Sequence, residues 1–320
     1  MKLLVTGGAG YIGSVVTAVL RKGGHQVTVL DSLVTGHRDA VPAEVEFVKA
    51  DVADSAAVRG VLEGSGYDGV LHFAALSLVG QSVTDPESYF SNNVAGSIAL
   101  VREVVAAGVP RFVFSSTAAT YGEPEVVPIT EDAPTKPTNP YGASKLAVDE
   151  LLRFTAAARP LSATSLRYFN VAGAHGDIGE RHTTETHLIP NILAVPAGKR
   201  DAVDVFGHDY PTADGSAIRD YIHVVDLANA HVRALETSDQ PGHRVFNLGI
   251  GRGYSVLEVV DTVRAVTGHP VPVRESPRRA GDPAVLVASS AKANAELGWS
   301  AERNLEQMVA DAWRFYQLQG

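Results

Sequence analysis

The string Gly7-Gly8-Ala9-Gly10-Tyr11-Ile12-Gly13 follows a short apolar run at residues 2–6 and leads into a stretch of helical periodicity. Read from Gly8 it is G-x-G-x-x-G, and read from Gly7 it is G-x-x-G-x-x-G. In a strand-to-helix turn such glycines permit the tight bend, the close approach of backbone to a pyrophosphate, and the packing of helix on strand. The helix N-terminus that follows offers unclaimed N–H groups and the positive end of its dipole. A glycine-rich turn can also serve packing alone, so the rest of the chain must decide.

The downstream pattern supports the first reading. Strands are predicted at 2–6, 25–30, 45–48, 69–73, 111–115 and 162–166, and helices at 14–22, 53–62, 86–107 and from Tyr141 to Ala158. Short apolar strands alternating with helices specify βαβ units and a parallel sheet. Asn139-Pro140 opens the last of these helices, with Asn as N-cap and Pro tolerated in the first turn. Beyond Asn170 the regular alternation weakens up to Gly215, and further helices are predicted at 255–267 and 304–317. The expected fold is α/β, a Rossmann-like doubly wound parallel sheet with a smaller α/β C-terminal substrate region. The division expected is 1–172 for the cofactor domain and 173–320 for the substrate region, with a segment near 216–250 returning to the sheet.

Composition narrows the function. The 320 residues carry a formal charge of -9, so no basic field exists to attract nucleic acid. No apolar stretch is long enough to span a bilayer, and no secretory leader is recognisable, so the cytoplasm is the expected compartment. The chain has no cysteine, which removes disulfides, thiolate nucleophiles and cysteine metal sites. His175, His182 and His187 lack the spacing that sets two ligands on one helical face, and no metal is expected.

Asp31 ends the second predicted strand, where an acid binds the adenosine ribose hydroxyls and repels a 2′-phosphate, favouring NAD over NADP. Asp51-Val52 follows the third strand and can hold the adenine edge. Phe73-Ala74-Ala75, ending the fourth, places small residues where a cofactor must pass closely. Tyr141 and Lys145 lie four residues apart on a predicted helix and so share a face. A phenol with a pKa of ~10 is a poor base at neutral pH. A neighbouring cation, and a positive nicotinamide ring, would lower that value. One strand earlier Ser115-Ser116-Thr117 sits at a carboxyl end facing the ligand crevice, where Thr117 can bond the reacting oxygen and relay a proton.

With these strings in hand the chain resembles the extended short-chain dehydrogenases, and within them the UDP-glucose 4-epimerases, over essentially its whole length. The matching segments include 4–14, 114–122, 141–145, 166–170, 219–224, 246–249 and Arg278-Arg279-Ala280-Gly281-Asp282. The resemblance implies that Tyr141 takes the proton from a sugar 4-hydroxyl while tightly bound NAD accepts the hydride, and that the keto sugar turns before reduction on its other face. Lys145 would hold the nicotinamide ribose. Related dehydratases carry acidic residues after the strand-end hydroxyl; here Ala118 and Ala119 stand there, which favours epimerisation.

The same resemblance implies that Asn93, Ser115 and Phe169 join Gly7, Gly10, Tyr11, Ile12 and Gly13 around the cofactor. It assigns Arg219 and Arg279 to the diphosphate, Asp282 to the uridine ribose, Asn170 to the sugar or phosphate, and Val205-Phe206 to the uracil. His187, next to Leu188, stands where an Asn commonly approaches the substrate. Ser77 replaces a lysine found in many members. Leu286 aligns with a residue whose bulk limits the sugar pocket, leaving acceptance of N-acetylhexosamine, uronate or pentose substrates open. A homodimer packed through 86–107 and 141–158 is also implied. A non-catalytic NAD-binding regulator on this fold would lack the Tyr/Lys pair that this chain retains.

Overall fold

The computed structural model describes residues 1–279 and 282–319. Alternation of strand and helix runs through the first half: β1 (Lys2–Thr6), α1 (Tyr11–Lys22), β2 (Gln26–Asp31), β3 (Glu46–Lys49), α2 (Ser55–Leu62) and β4 (Gly69–His72). It continues with α3 (Val79–Thr84), α4 (Pro86–Tyr89), α5 (Gly96–Ala106), β5 (Arg111–Thr117), α6 (Pro140–Ala158) and β6 (Ser162–Tyr168). The helix predicted at 86–107 is one continuous rod, but its middle, Phe90–Ala95, is wound as a π-helix. Asp85 starts it by accepting from the Ser88 amide, with Pro86 in the first turn. Asn139 caps α6 through the Gly142 amide, as the sequence predicts.

Seven strands form one sheet in the order β10-β6-β5-β4-β1-β2-β3, where β10 is Gly242–Leu248, and every pairing is parallel. The order reverses beside β1, which puts a ligand crevice at the carboxyl ends of β1 and β4. Both sheet faces are covered. Val15, Val16 and Leu20 of α1 share one core with Leu227 and Leu235, while Val58, Leu100, Val148 and Leu152 share the other. Because both faces are buried, the strands read as apolar runs rather than alternating ones.

The less regular region holds β7 (Asn170–Ala172), α7 (Leu188–Leu193), β8 (Val203–Phe206), β9 (Ile218–His223), α8 (Val224–Glu236), and, after β10, β11 (Gly253–Ser255) and α9 (Val256–Thr267). It ends with β12 (Val273–Ser276), β13 (Val285–Leu286), α10 (Ala291–Leu297) and α11 (Leu305–Leu318). β9 pairs with β7, β11 and β13, and β8 pairs with β12, over a core of Ile192, Val259, Val263 and Met308. The chain between 216 and 250 therefore divides its allegiance. β9 builds the small sheet, α8 packs on the large one, and β10 becomes its edge strand.

Candidate active site

One cavity of about 1010 Å³ runs along the carboxyl ends of the central strands and on beneath the small sheet. Its cofactor half is built by the glycine turn. Gly7 adopts φ +73°, and a Cβ there would meet the Ala74 amide nitrogen at 2.4 Å. A Cβ on Gly13 would strike the Gly7 carbonyl oxygen at 2.3 Å, whereas one on Gly10 would meet nothing nearer than 3.4 Å. Gly10 is thus spacious on the protein side and faces the cavity, while Gly13 is locked by the turn itself. No side chain caps α1, so the amides of its first turn are left for a ligand. Asp31 accepts the Ala9 amide on one oxygen (2.9 Å) and the Leu33 amide on the other (2.8 Å), and still lines the cavity. Each oxygen retains a lone pair for a ribose hydroxyl. These features fit a dinucleotide with an unphosphorylated ribose.

Gly7, Gly10, Tyr11, Ile12, Gly13, Asp51, Val52, Phe73, Ala74, Ala75, Ser115 and Phe169 all border this cavity. Asn93 does not. It is buried in the π-helical turn with its amide fully engaged: Nδ2 donates to the Leu76 carbonyl and to Ser144 Oγ, and Oδ1 accepts from the Leu76 amide. Asn93 instead ties the cavity-lining loop after β4 to α6.

At the catalytic end Tyr141, Lys145 and Thr117 converge. The Tyr141 phenol stands beside the Thr117 hydroxyl on the cavity wall, and its ring is edge-on to Tyr89 at 6.4 Å. Lys145 Nζ donates to the Ser115 carbonyl at 2.8 Å and lies 4.8 Å from the Phe114 ring centroid. Burial pushes Tyr141 up to about 12, partly offset by the neighbouring Thr117 hydroxyl, and pushes Lys145 down to about 7. Burial outweighs the other influences on the phenol, so the protein environment alone raises its pKa. The protein cavity by itself favours the neutral form of both groups, because desolvation penalises each charge. A positively charged nicotinamide ring held in this cavity would favour the phenolate. Tyr168, which the sequence reading did not single out, also lines this end and shares a hydrogen bond with Ser115 Oγ. Its only sequence signal is its place in the 166–170 string.

Arg219, Arg279, Phe206, Asn170, His187, Leu188, Asp282 and Leu286 line the rest of the cavity. Alternation along β9 separates Arg219 from Asp220. Arg219 faces the cavity and pairs with Asp282 at 2.9 Å, while buried Asp220 accepts the amides of Ile250, Gly251 and Ala288. The Arg279 guanidinium lies 4.0 Å from the Phe206 ring centroid. Val205 points the other way, into the core; the alternation of β8 presents Asp204 and Phe206 instead. Ala280 and Gly281 lie outside the described residues. Leu286 sits opposite Arg219 in the β13–β9 register and packs near Ala118, Tyr121 and Ile129.

The parallel sheet, the uncapped glycine turn at its switch point, and a Tyr/Lys pair facing the same cavity define a dinucleotide-dependent enzyme of the short-chain dehydrogenase type. The chain belongs to the NAD dependent epimerase/dehydratase family, whose model matches residues 3–249. A UDP-glucose 4-epimerase from Corynebacterium glutamicum is 57% identical over 321 residues, covering 100% of this chain and 97% of its own. A UDP-glucose 4-epimerase from Stenotrophomonas maltophila, solved with bound NAD and formylated UDP-arabinopyranose, superposes with a TM-score of 0.96 at 44% identity, covering 100% of this chain and 98% of its own. The enzyme from Bifidobacterium longum in complex with NAD+ and UDP gives a TM-score of 0.94 at 39% identity, covering 99% and 98%. Among the described residues no helix is long and apolar enough to cross a membrane.

Proposed function

We propose that this chain is a cytoplasmic UDP-glucose 4-epimerase, interconverting UDP-glucose and UDP-galactose by inversion at C4. The observation that carries the reading is the Tyr141–Thr117 hydroxyl pair, followed by Ala118 and Ala119 on the same cavity wall. The two hydroxyls can pass one proton between a sugar 4-hydroxyl and the phenol, and return it. Neither alanine offers a carboxylate for elimination, so the sugar leaves with its formula unchanged.

NAD, when bound, supplies the hydride acceptor and donor. Gly7, Gly10, Tyr11, Ile12, Gly13 and Asp31 would hold its adenosine diphosphate half, with Asp51, Val52, Phe73, Ala74 and Ala75 along its flank. Lys145, Ser115 and Phe169 would meet its other half. Tyr141 removes and restores the proton at the substrate oxygen, and Thr117 keeps that oxygen within reach. Arg219 and Arg279 would grip the substrate diphosphate, for which a planar guanidinium is suited. Asp282, Asn170, His187, Leu188 and Phe206 complete the nucleotide end, and the substrate portion of the chain is 173–320 in this reading. Inversion needs a held nucleotide and a mobile sugar. The cavity meets that need with charged anchors at one end and hydroxyls and alanines at the other.

Incubating the pure protein with UDP-galactose and no added NAD should yield UDP-glucose. Failure to form it, even with NAD supplied, overturns the assignment. The protein is further proposed to act as a homodimer through α5 and α6, on which Ile98 and Phe154 are exposed, with Phe90 in the turn before α5. A monomeric solution mass would refute that.

A further inference from the structure

The segment between β7 and α7 carries Glu180, His182, Glu185 and His187, an E-x-H-x-x-E-x-H spacing on a loop. The loop folds back so that one donor atom from each residue lies within 4.8 Å of all the others. His187 Nδ1 is 2.8 Å from Glu180 Oε1 and 2.8 Å from Glu185 Oε1. His182 Nδ1 is 2.9 Å from Glu180 Oε1 and 3.7 Å from Glu185 Oε2. The two imidazoles stack with centroids 5.1 Å apart.

Two features of this arrangement point to an ion. Donors bound to one tetrahedral centre at ~2.0–2.1 Å are about 3.4 Å from one another, and the separations seen here fall on both sides of that value. Moreover, His182 Nδ1 is shut off from solvent and makes no hydrogen bond, despite its nearness to Glu180. A buried polar atom without a partner is costly, and a cation central to the four donors would satisfy it.

We propose that Glu180, His182, Glu185 and His187 form a structural site for a divalent transition-metal ion of the zinc class. Binding an ion requires both imidazoles to give up their protons, and the two carboxylates then leave a charge of about minus two, which one such ion cancels. Imidazole donors favour zinc-like ions over magnesium or calcium. Four protein donors leave no open position, so the ion's work is to fix the loop rather than to activate water. The loop forms part of the cavity wall. His37 Nε2 lies within hydrogen-bond distance of the Arg181 carbonyl at 3.0 Å, and Arg181 pairs with Asp39 at 2.6 Å, both on the cofactor side. Its far end runs into Leu188 on the substrate side. An ion here would set the spacing between those two halves. Helical spacing would hold these histidines apart, but residues 180–187 are not helical, and the loop brings together what a helix would separate.

The test is elemental analysis of the full-length protein after incubation with zinc chloride and gel filtration, with His182→Ala/Glu185→Gln as the comparison. About one zinc per chain in the natural protein and less than a fifth of that in the variant is the expected result. Equal zinc in both, or none in the natural protein, overturns the site. Should the variant fail to fold, X-ray absorption at the zinc edge of the natural protein decides. Two imidazoles with oxygen ligands at ~2.0–2.1 Å are expected, and any other imidazole count overturns the proposal. Neither readout depends on epimerase activity.

Discussion

Lys145 Nζ donates a hydrogen bond to the backbone carbonyl of Ser115, 2.8 Å away, so the amine of α6 is anchored to the carboxyl end of β5. That single bond fixes where Lys145 stands relative to Thr117, two residues further along the strand. It also takes the lysine deep enough for desolvation to bring its pKa down to about 7.

The depressed pKa gives the cofactor-free protein a defined pH response. Unfolded, Lys145 titrates near 10.5, so between about 7 and 10.5 the unfolded chain binds more protons at this site than the folded one. Stability contributed by this group is present above the unfolded value and is lost as pH falls through the folded one. Urea unfolding at either end of that window should show the natural protein gaining stability with rising pH. Lys145→Met should flatten the gain, and an unchanged slope in the variant would show that the amine is not desolvated.

Tyr141→Phe removes the proton carrier while keeping the ring against Tyr89. NAD content after purification should match the natural protein, and kcat should fall by about 10²–10⁴, the range for a lost general acid–base group. Thr117→Val should also lower kcat, by breaking the relay. Near-natural turnover in the tyrosine variant would remove it from the mechanism.

The glycines of the turn should separate by role. Gly13→Ala places a Cβ against backbone that cannot move aside and should cost ~1–3 kcal/mol of stability, as overpacking does. Gly10→Ala meets only ordinary contact within the protein and should melt like the natural chain when NAD is absent. Its defect should appear as weaker NAD retention, measured by absorbance of the released cofactor. Equal melting losses in both variants would contradict the geometry.

Leu286 lines the cavity, opposite Arg219 in the strand register and packed near Ala118, and its size there should set which sugars enter. Leu286→Tyr should lower kcat/KM for UDP-N-acetylglucosamine at least tenfold more than for UDP-glucose. An unchanged ratio would place the gate elsewhere.

What the sequence by itself determined was local and periodic. The glycine turn, the apolar strands and the i, i+4 placement of Tyr141 and Lys145 all follow from patterns spanning a few residues, where backbone geometry leaves little choice. Ser115, Thr117 and Asp31 were legible for the same reason, since a strand's end is set by its own residues. The tertiary structure decided which way side chains point and which distant segments meet. The amide of Asn93 is claimed by Leu76 and Ser144 rather than turned to the cavity, because the π-helical turn packs it against α6. Strand alternation turns Val205 inward and separates Arg219 from Asp220, a choice of face that depends on what each sheet packs against. The convergence of His182 and His187 with two glutamates has no helical or strand period to announce it. Only the folding of their loop across the cavity wall brings those four donors together.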